Sequence, residues 1–301
     1  MSQPFHGAAP LPQLGVIRAH GDDAAKFLHA QLTQDFTLLG QAEARLAAFC
    51  TPKGRMLASF VAFRRAPDDI LLVCSRDVLP ASLKRLSMFV LRAKVKLSDA
   101  TGEHALYGLL GDAAASADPP WTLREAAGVW RVQLHPADDL ARALWVGPAG
   151  ADAPAQPALE PAVWEWAEVR SGVATITQPI VEAFVPQMLN YESVGGVNFK
   201  KGCYPGQEVV ARSQFRGTLK RRAFVVHSEA ELAAGQEVFQ AADAEQPAGI
   251  VAQAAPCPEG GWDAIVSLQL AAAEAGDLHA QGTDGPQLHL LQLPYLLLSD
   301  I

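Results

Sequence analysis

Apolar residues follow two different spacings in the first third of the chain. Largely apolar runs of three to seven residues, typical of buried strands, occur at 16–18, 57–63 and 70–75, and another starts at Val95. Recurrence every third or fourth position predicts helices over 24–32 and 78–91. Because strands and helices are mixed without a regular βα repeat, the pattern predicts an α+β unit.

The pattern changes after residue 111. Two stretches rich in Ala, Pro and Gly, 112–120 and 147–161, predict surface loops or hinges. A strand over 129–134, a helix around 138–143 and a helix over 163–171 are predicted around them. The remaining apolar segments are short and separated by turns, at 223–227, 248–254, 262–270 and 287–293. These segments predict a small antiparallel β-barrel or sandwich at the end of the chain.

Composition adds the class and the expected compartment. The 301 residues are 50% hydrophobic and 19% charged, which is typical of a globular protein. No run of about 18 apolar residues predicts a membrane-spanning helix, and the first residues lack the pattern of a secretory signal. The four cysteines, at positions 50, 74, 203 and 257, form no CxxC pair. We therefore expect a cytoplasmic protein without a disulfide framework.

The net charge of −8 hides an uneven distribution. Residues 200–222 hold seven basic residues and one acidic residue, whereas 223–301 hold eleven acidic residues and no Lys or Arg. An acidic chain does not grip a nucleic-acid backbone over its whole surface. The basic segment could hold a small anion or a short stretch of RNA, or it could be a solvated face.

The densest candidate chemistry lies in the glycine-rich segment 195–208. Pro205 suits the first turn of a helix continuing through residues 209–211. Cys203 would then precede a helix N-terminus beside Lys200 and Lys201, and both features favour a thiolate. Cys203 is thus a candidate nucleophile, redox thiol or soft-metal ligand, and the alternative is an inert cysteine packed in a turn.

Other reactive side chains carry weaker signals. No GxSxG sequence is present, and the histidines lie in no metal-ligand spacing. His227 and His289 are predicted to be structural, as are Cys50, Cys74 and Cys257, and packing or exposure is the default for His29. Trp164 and Trp166, on the helix before the glycine-rich segment, could be core residues or platforms for a flat heterocycle.

The segment Lys200–Glu208 resembles the signature of the YgfZ family. These proteins are folate-binding relatives of the glycine-cleavage T-protein, and they are linked to iron–sulfur cluster assembly or repair and to tRNA modification. Further matching segments are 21–35, 50–56, 184–190, 195–199, 210–212, 215–217, 220–221 and 293–295. The resemblance therefore spans most of the chain and is weakest over 112–160.

The resemblance implies a three-domain, T-protein-like (aminomethyltransferase-like) α+β fold around a central folate site. Its units would be ferredoxin-like, with a small β-barrel at the C-terminal end. The predicted domains are a discontinuous folate-binding domain (1–48 with 115–218), an inserted α+β domain (49–114) and the barrel (219–301).

The resemblance also implies functional residues. The motif cysteine falls on Cys203, and the folate-contacting tryptophan falls on Trp164. Leu14 stands where the family carries a second aromatic, and further folate contacts are expected at Gln187, Asn190 and Arg222. The motif loop (residues 200–208) also includes Lys201, Gly202, Tyr204, Gly206, Gln207 and Glu208. The expected cofactor is tetrahydrofolate or a derivative, including polyglutamylated forms whose tail would pair with basic residues; no stably bound metal is expected.

The implied function is support of iron–sulfur cluster assembly, insertion or repair, and thereby of tRNA modification. The expected partners are folate and iron–sulfur client or assembly proteins, with no direct nucleic-acid or membrane binding. Whether the chain is an enzyme stays open. Leu57 and Ala58 stand where T-proteins carry an acidic pair, which disfavours a folate-dependent aminomethyl or one-carbon transferase as the alternative. Two further functions compatible with the sequence are a folate-gated scaffold and RNA binding through Arg216 and Lys220.

Overall fold

The computed structural model describes residues 5–215, 219–243 and 245–298. Arg216, named above in the basic segment, lies outside the described residues. Within them the strands form two five-stranded antiparallel sheets and one closed barrel. Among the described helices, none has the length and apolar character needed to cross a membrane.

The first sheet carries two helices on one face. In spatial order its strands are β3 (Ala44–Cys50), β4 (Met56–Ala66), β5 (Asp69–Ser75), β2 (Leu14–His20) and β6 (Lys96–Asp99). Helices α1 (Ala24–Gln31) and α2 (Leu79–Ser87) bury their apolar stripes in one core with residues such as Phe60 and Leu72. Because successive strand residues point to opposite faces, Leu71 and Val73 lie in a different core on the other face.

The second sheet contributes to that other core. Its strands, again in spatial order, are β1 (Gly7–Pro10), β7 (His104–Leu110), β10 (Arg142–Pro148), β9 (Val129–Gln133) and β8 (Leu123–Ala126). Helix α3 (Pro161–Arg170) starts with a proline, which suits a first helical turn, and its Trp164 is buried in this core. The two sheets and α3 therefore enclose one apolar layer.

The C-terminal barrel closes on itself. Around the barrel run β11 (Arg221–Ser228), β14 (Trp262–Gln269), β13 (Gly249–Pro256), β12 (Glu237–Gln240), β15 (Leu278–Ala280) and β16 (Gln287–Leu291). Inward residues such as Val226 and Val266 fill the barrel, and outward residues such as Val225 and Ile265 pack against the rest of the molecule. Two further helices, α4 (Gln207–Phe215) and α5 (Leu270–Ala275), precede β11 and follow β14.

One predicted helix is wrong. Residues around 138–143 form a tight turn, in which Ala137 and Leu140 exchange two backbone hydrogen bonds of 2.9 Å, and β10 then starts at Arg142. Asp138 has a φ of 50°, which is incompatible with a right-handed helix. The sheet ladder with β7 outweighs the local helix preference of the alanines.

The domain boundaries remain a prediction. The strands β2 and β3, which begin before residue 48, pair in one sheet with β4, β5 and β6, and β1 pairs with β7 across a separation of about a hundred residues. If domains were divided by sheets, β2 and β3 would therefore belong with β4, β5 and β6 and not with the predicted folate-binding domain. The barrel strands all fall within the predicted segment 219–301.

Candidate functional site

A central pocket lies between the two sheets and α3. Its cavity volume is about 70 Å³. The first sheet contributes apolar residues such as Phe60 and Val73, and α3 contributes Trp164 and Glu168. The pocket is thus mainly apolar with a few polar groups, as in small-molecule sites.

Trp164 forms one wall of this pocket, and a glycine on the neighbouring strand leaves space for its ring. The indole lies against the backbone of Gly108 on β7, where a Cβ atom would come within 2.3 Å of the ring. The guanidinium of Arg142 lies 4.7 Å from the ring centroid, within cation–π range. Among the described residues, the buried Trp164 Nε1 makes no hydrogen bond of regular geometry, but it interacts with the Glu168 carboxyl group and favours its ionised form. These contacts hold the indole ring in place beside Glu168.

Arg142 and Glu168 bring a buried pair of opposite charges to the same pocket. Their closest atoms, Arg142 Nη2 and Glu168 Oε1, are 3.9 Å apart. Burial raises the pKa of Glu168 to about 7 against the opposing effect of Arg142, and burial lowers the pKa of Arg142 to about 10. Within the described part of the chain, the buried Arg142 Nε has no acceptor. A carboxyl group with a pKa of about 7 therefore faces the pocket, close to the N–H groups of Trp164 and Arg142.

His135 completes the polar part of the pocket. Its ring meets the edges of Trp121 and Tyr295 at centroid distances of 5.5 and 5.9 Å. Burial, together with the positive charge of Arg142, lowers the pKa of His135 to about 4. The imidazole is therefore neutral at physiological pH and offers a hydrogen-bonding edge without a charge.

Leu14 and Trp164, both predicted to contact folate, line the same pocket. Leu14 starts β2, next to Gly15, and supplies an aliphatic surface. The structure therefore brings together the predicted aromatic platform and the position where the family's second aromatic is expected.

Gln187, Asn190 and Arg222 do not line this pocket in the described part of the chain. Gln187 Nε2 donates to the Val210 carbonyl at 2.7 Å. Asn190, with a φ of 58°, exchanges two hydrogen bonds with the backbone of Ala223 on β11. The folate contacts predicted at these positions remain a prediction. In the structure, Gln187 links its segment to α4 and Asn190 links its segment to β11.

Arg222 lies in a buried ion pair. Its guanidinium hydrogen-bonds the carboxylate of Glu192 and donates to the Leu298 carbonyl at 3.2 Å. Both side chains of the pair are nearly inaccessible to solvent. The pair therefore fastens β11 to the segment that leads into the motif loop.

The motif loop is anchored through Lys201. Its ammonium donates to the carbonyl oxygens of Leu32, at 2.7 Å, and of His29, at the end of α1. It also lies 4.6 Å from the ring centroid of the buried Tyr204, and burial lowers the pKa of Lys201 to about 8. Lys201 is thus a tether that holds the loop against the first sheet's helix.

Cys203, in the middle of the motif loop, is exposed to solvent. It precedes the start of α4 by four residues, and Lys200 beside it is also exposed. Cys203 is not among the described residues that line the central pocket. The geometry therefore presents the thiol to solvent, where another protein can reach it.

The rest of the motif supports the loop. Gly206 has a φ of 84°, and a Cβ atom there would lie 2.4 Å from the Thr51 carbonyl oxygen. Gly202 is exposed, and its virtual Cβ lies 3.3 Å from His29 Nε2. Gln207 begins α4 with its backbone N–H on the Tyr204 carbonyl, and Glu208 pairs with Arg212 at 2.7 Å. The loop thus packs directly on the turn that follows β3.

Two known proteins are similar to this chain in sequence. A "tRNA-modifying protein YgfZ" of Colwellia psychrerythraea is 29% identical over 233 residues, covering 73% of this chain and 71% of the relative. An uncharacterised protein of Haemophilus influenzae is 29% identical over 231 residues, covering 76% of each. No family model matches the chain. The chain is thus similar to a YgfZ protein over 73% of its length.

The fold of the chain is that of the glycine-cleavage T-protein. The crystal structure of the glycine cleavage system aminomethyltransferase T from Bartonella henselae superposes with a TM-score of 0.72. The match covers 97% of this chain and 86% of that one at 14% identity. The predicted T-protein-like fold class with a C-terminal barrel is thereby confirmed.

Three residues of the central pocket were not predicted from the sequence: Glu168, Arg142 and His135. Glu168 lies one helical turn after Trp164, so a helical projection from the predicted platform would have found it. Arg142 is a charge at the start of an otherwise apolar strand, which is a weaker signal. His135 carries no recognisable signal, because its place depends on Trp121 and Tyr295.

Proposed function

We propose that this protein binds tetrahydrofolate or a derivative and, through Cys203, supports assembly, insertion or repair of iron–sulfur clusters in other proteins. Modification of tRNA would follow indirectly, through enzymes that carry such clusters. The observation that supports folate binding most strongly is the Glu168 carboxyl group beside Trp164 in the central pocket. The relative named as a tRNA-modifying protein supports the process.

The chemistry of a reduced pterin fits the groups in the pocket. Its exocyclic amine and neighbouring ring N–H are adjacent donors, which one carboxylate can accept as a pair. Its ring nitrogen and carbonyl acceptors match a donor such as Arg142 Nε, which has no acceptor among the described residues. Its flat body suits apolar walls such as Phe60, Leu14 and Leu144. We therefore assign pterin recognition to Glu168, Arg142 and Trp164.

Bound folate would supply one-carbon or redox chemistry, and this chain's own residues would supply position and charge. Glu168 would hold the donor edge, and Trp164 would keep water from one side of the ring. A polyglutamate tail outside the pocket would meet exposed lysines such as Lys200 and Lys220.

Cys203 would act outside the pocket. An exposed thiolate is a soft ligand for iron and a nucleophile toward sulfur or one-carbon species. A single thiolate does not hold a four-iron cluster, because such clusters take four. The remaining ligands would come from a client or assembly protein that docks at the motif loop, which agrees with the exposure of Cys203. Action in the cytoplasm, where thiols stay reduced, belongs to the same proposal.

Aminomethyl transfer is the less favoured function. Leu57 and Ala58 lie on β4 in place of an acidic pair, and Ala58 is fully buried. Neither side chain can accept a proton or pair with a cationic amine. The protein therefore has a T-protein-like fold and a ligand pocket but lacks the acidic pair of the transferases.

Folate binding is tested by titrating the purified protein with 5-formyltetrahydrofolate and following tryptophan fluorescence. Glu168→Gln is expected to weaken binding by about 10- to 100-fold, because hydrogen bonds to a charged group are worth about 1.5–3 kcal/mol. Glu165→Gln, on the exposed side of the same helix, is the matched control and is expected to bind normally. Equal binding by both variants would contradict the assignment.

A further inference from the structure

A second cluster of chemically active side chains lies on the outside of the barrel, facing α3. His227 on β11 and Asp263 on β14 are directly opposite each other in the antiparallel ladder, so both project from the same face. Cys257 lies in the turn between β13 and β14. One potential ligand atom from each of the three side chains lies within 4.8 Å of the other two.

Backbone hydrogen bonds hold the three positions on a rigid frame. The Cys257 N–H donates to the Gly261 carbonyl at 2.9 Å, and the Gly260 N–H donates back to the Cys257 carbonyl at 3.0 Å. The turn is therefore closed on both sides. His227 and Asp263 lie on paired strands of the barrel, so the cluster is built on two hydrogen-bonded strands and a tight turn.

We propose that His227, Cys257 and Asp263 form a binding site for a zinc ion. A thiolate, an imidazole and a carboxylate are ligands that zinc accepts together, whereas calcium and magnesium prefer oxygen ligands alone. Ligand atoms in a tetrahedral zinc site are about 3.3–3.7 Å apart, given metal–ligand distances of about 2.0–2.3 Å. Small side-chain movements bring the present cluster to that spacing. Water or a further ligand would complete the coordination from the open groove.

The surroundings of the cluster match those of a metal site. Asp263 Oδ2 accepts from Trp166 Nε1 at 2.8 Å, while Oδ1 is hydrogen-bonded to His227 Nδ1 at 2.7 Å, a bond that a metal ion between these two atoms would replace. His227 Nε2 lies 3.7 Å from a carboxylate oxygen of Glu229. A ligating histidine commonly directs its other ring nitrogen to such an acceptor. Trp166 is therefore an outer partner that fixes the orientation of Asp263, and Glu229 supplies an acceptor near His227.

The charges also balance. A zinc ion carrying two positive charges would be neutralised by the Asp263 carboxylate and the Cys257 thiolate. Burial and nearby carboxylates raise the pKa of the free Cys257 thiol, so zinc binding must release its proton to solvent. Arg170, at 3.5 Å, contacts the other oxygen of Asp263 and shares its charge with Asp138 at 2.8 Å. The positive side chain thus lies away from the atom that would bind the metal.

The test is zinc binding by the full-length protein after treatment with a chelator. Zinc is titrated against a chromophoric competitor, and cobalt is used separately to detect a sulfur-to-metal charge-transfer band. Wild type is expected to bind one zinc ion at this site. Cys257→Ser is expected to weaken its affinity by more than about a hundredfold, since even changes outside the first ligands cost about 10- to 100-fold. The charge-transfer band should disappear in the same variant.

Cys203→Ser is the matched control, because it removes an exposed cysteine elsewhere in the molecule. It is expected to keep the zinc site and the cobalt band. In wild type, zinc should also protect Cys257 from alkylation, as followed by mass spectrometry, which requires no measurement of affinity. Equal zinc binding by wild type and Cys257→Ser, or no binding by wild type, would overturn the proposal. Loss of zinc binding in Cys203→Ser alone would also overturn it.

Discussion

At the residue scale, the central pocket depends on a charged pair that the fold takes out of water. Burying a carboxyl group disfavours its ionised form, and the neighbouring Arg142 only partly offsets this effect at Glu168. Proteins commonly hold such perturbed groups at functional sites. The predicted platform Trp164 lay within reach of sequence analysis, whereas the pairing of Glu168 with Arg142 depends on α3 packing near β10.

The raised pKa of Glu168 predicts a pH dependence of stability. Between pH 4.5, the ordinary value, and about pH 7, the unfolded chain loses this proton while the folded protein keeps it. The free energy of unfolding therefore falls with rising pH in that window, by up to about 1.4 kcal/mol per pH unit from this group. In Glu168→Gln this contribution is absent.

Urea unfolding of both proteins from pH 4.5 to 8 measures the effect. The difference in unfolding free energy, wild type minus variant, should decrease as pH rises toward 7 and then level off. A difference that stays constant across the range would show that Glu168 titrates normally in the folded protein.

At the element scale, the motif loop is held by contacts that its sequence suggests only in part. The glycines and Pro205 indicated a tight turn before a helix, and α4 follows, although it begins at Gln207. The use of Lys201 as a tether to the end of α1 was not predictable, because its acceptors lie about 170 residues earlier in the chain. Likewise, the wrong helix around 138–143 followed local preference where a distant strand decided the structure.

Gly206 provides a prediction for this loop. Gly206→Ala places a Cβ atom 2.4 Å from the Thr51 carbonyl oxygen at a φ of 84°. We expect a loss of stability on the order of 2 kcal/mol or more, measured by urea unfolding. Gly102→Ala is the control, because no atom lies within 4 Å of its added Cβ, and it should change stability by less than about 0.5 kcal/mol. Similar effects of both substitutions would contradict the tight packing of the loop.

At the scale of the whole molecule, the fold was predictable from segments that match a known family, and the details between them were not. The short strands β12 and β15, with four and three residues, carry too few positions for a periodic signal. The proposed folate pocket and Cys203 occupy different places, since the thiol is exposed on the motif loop and the pocket lies between the sheets. Folate binding and the thiol's function can therefore be separated by mutation.

That separation allows the most direct test. Cys203→Ala is expressed in cells lacking the native protein, an iron–sulfur enzyme is assayed in those cells, and tetrahydrofolate binding is measured on the purified variant. We expect the activity of the iron–sulfur enzyme to fall to the level of cells without the protein, while folate affinity stays at the wild-type value. Wild-type enzyme activity together with intact folate binding would contradict the proposed function and leave Cys203 as an exposed residue without a role in cluster maintenance.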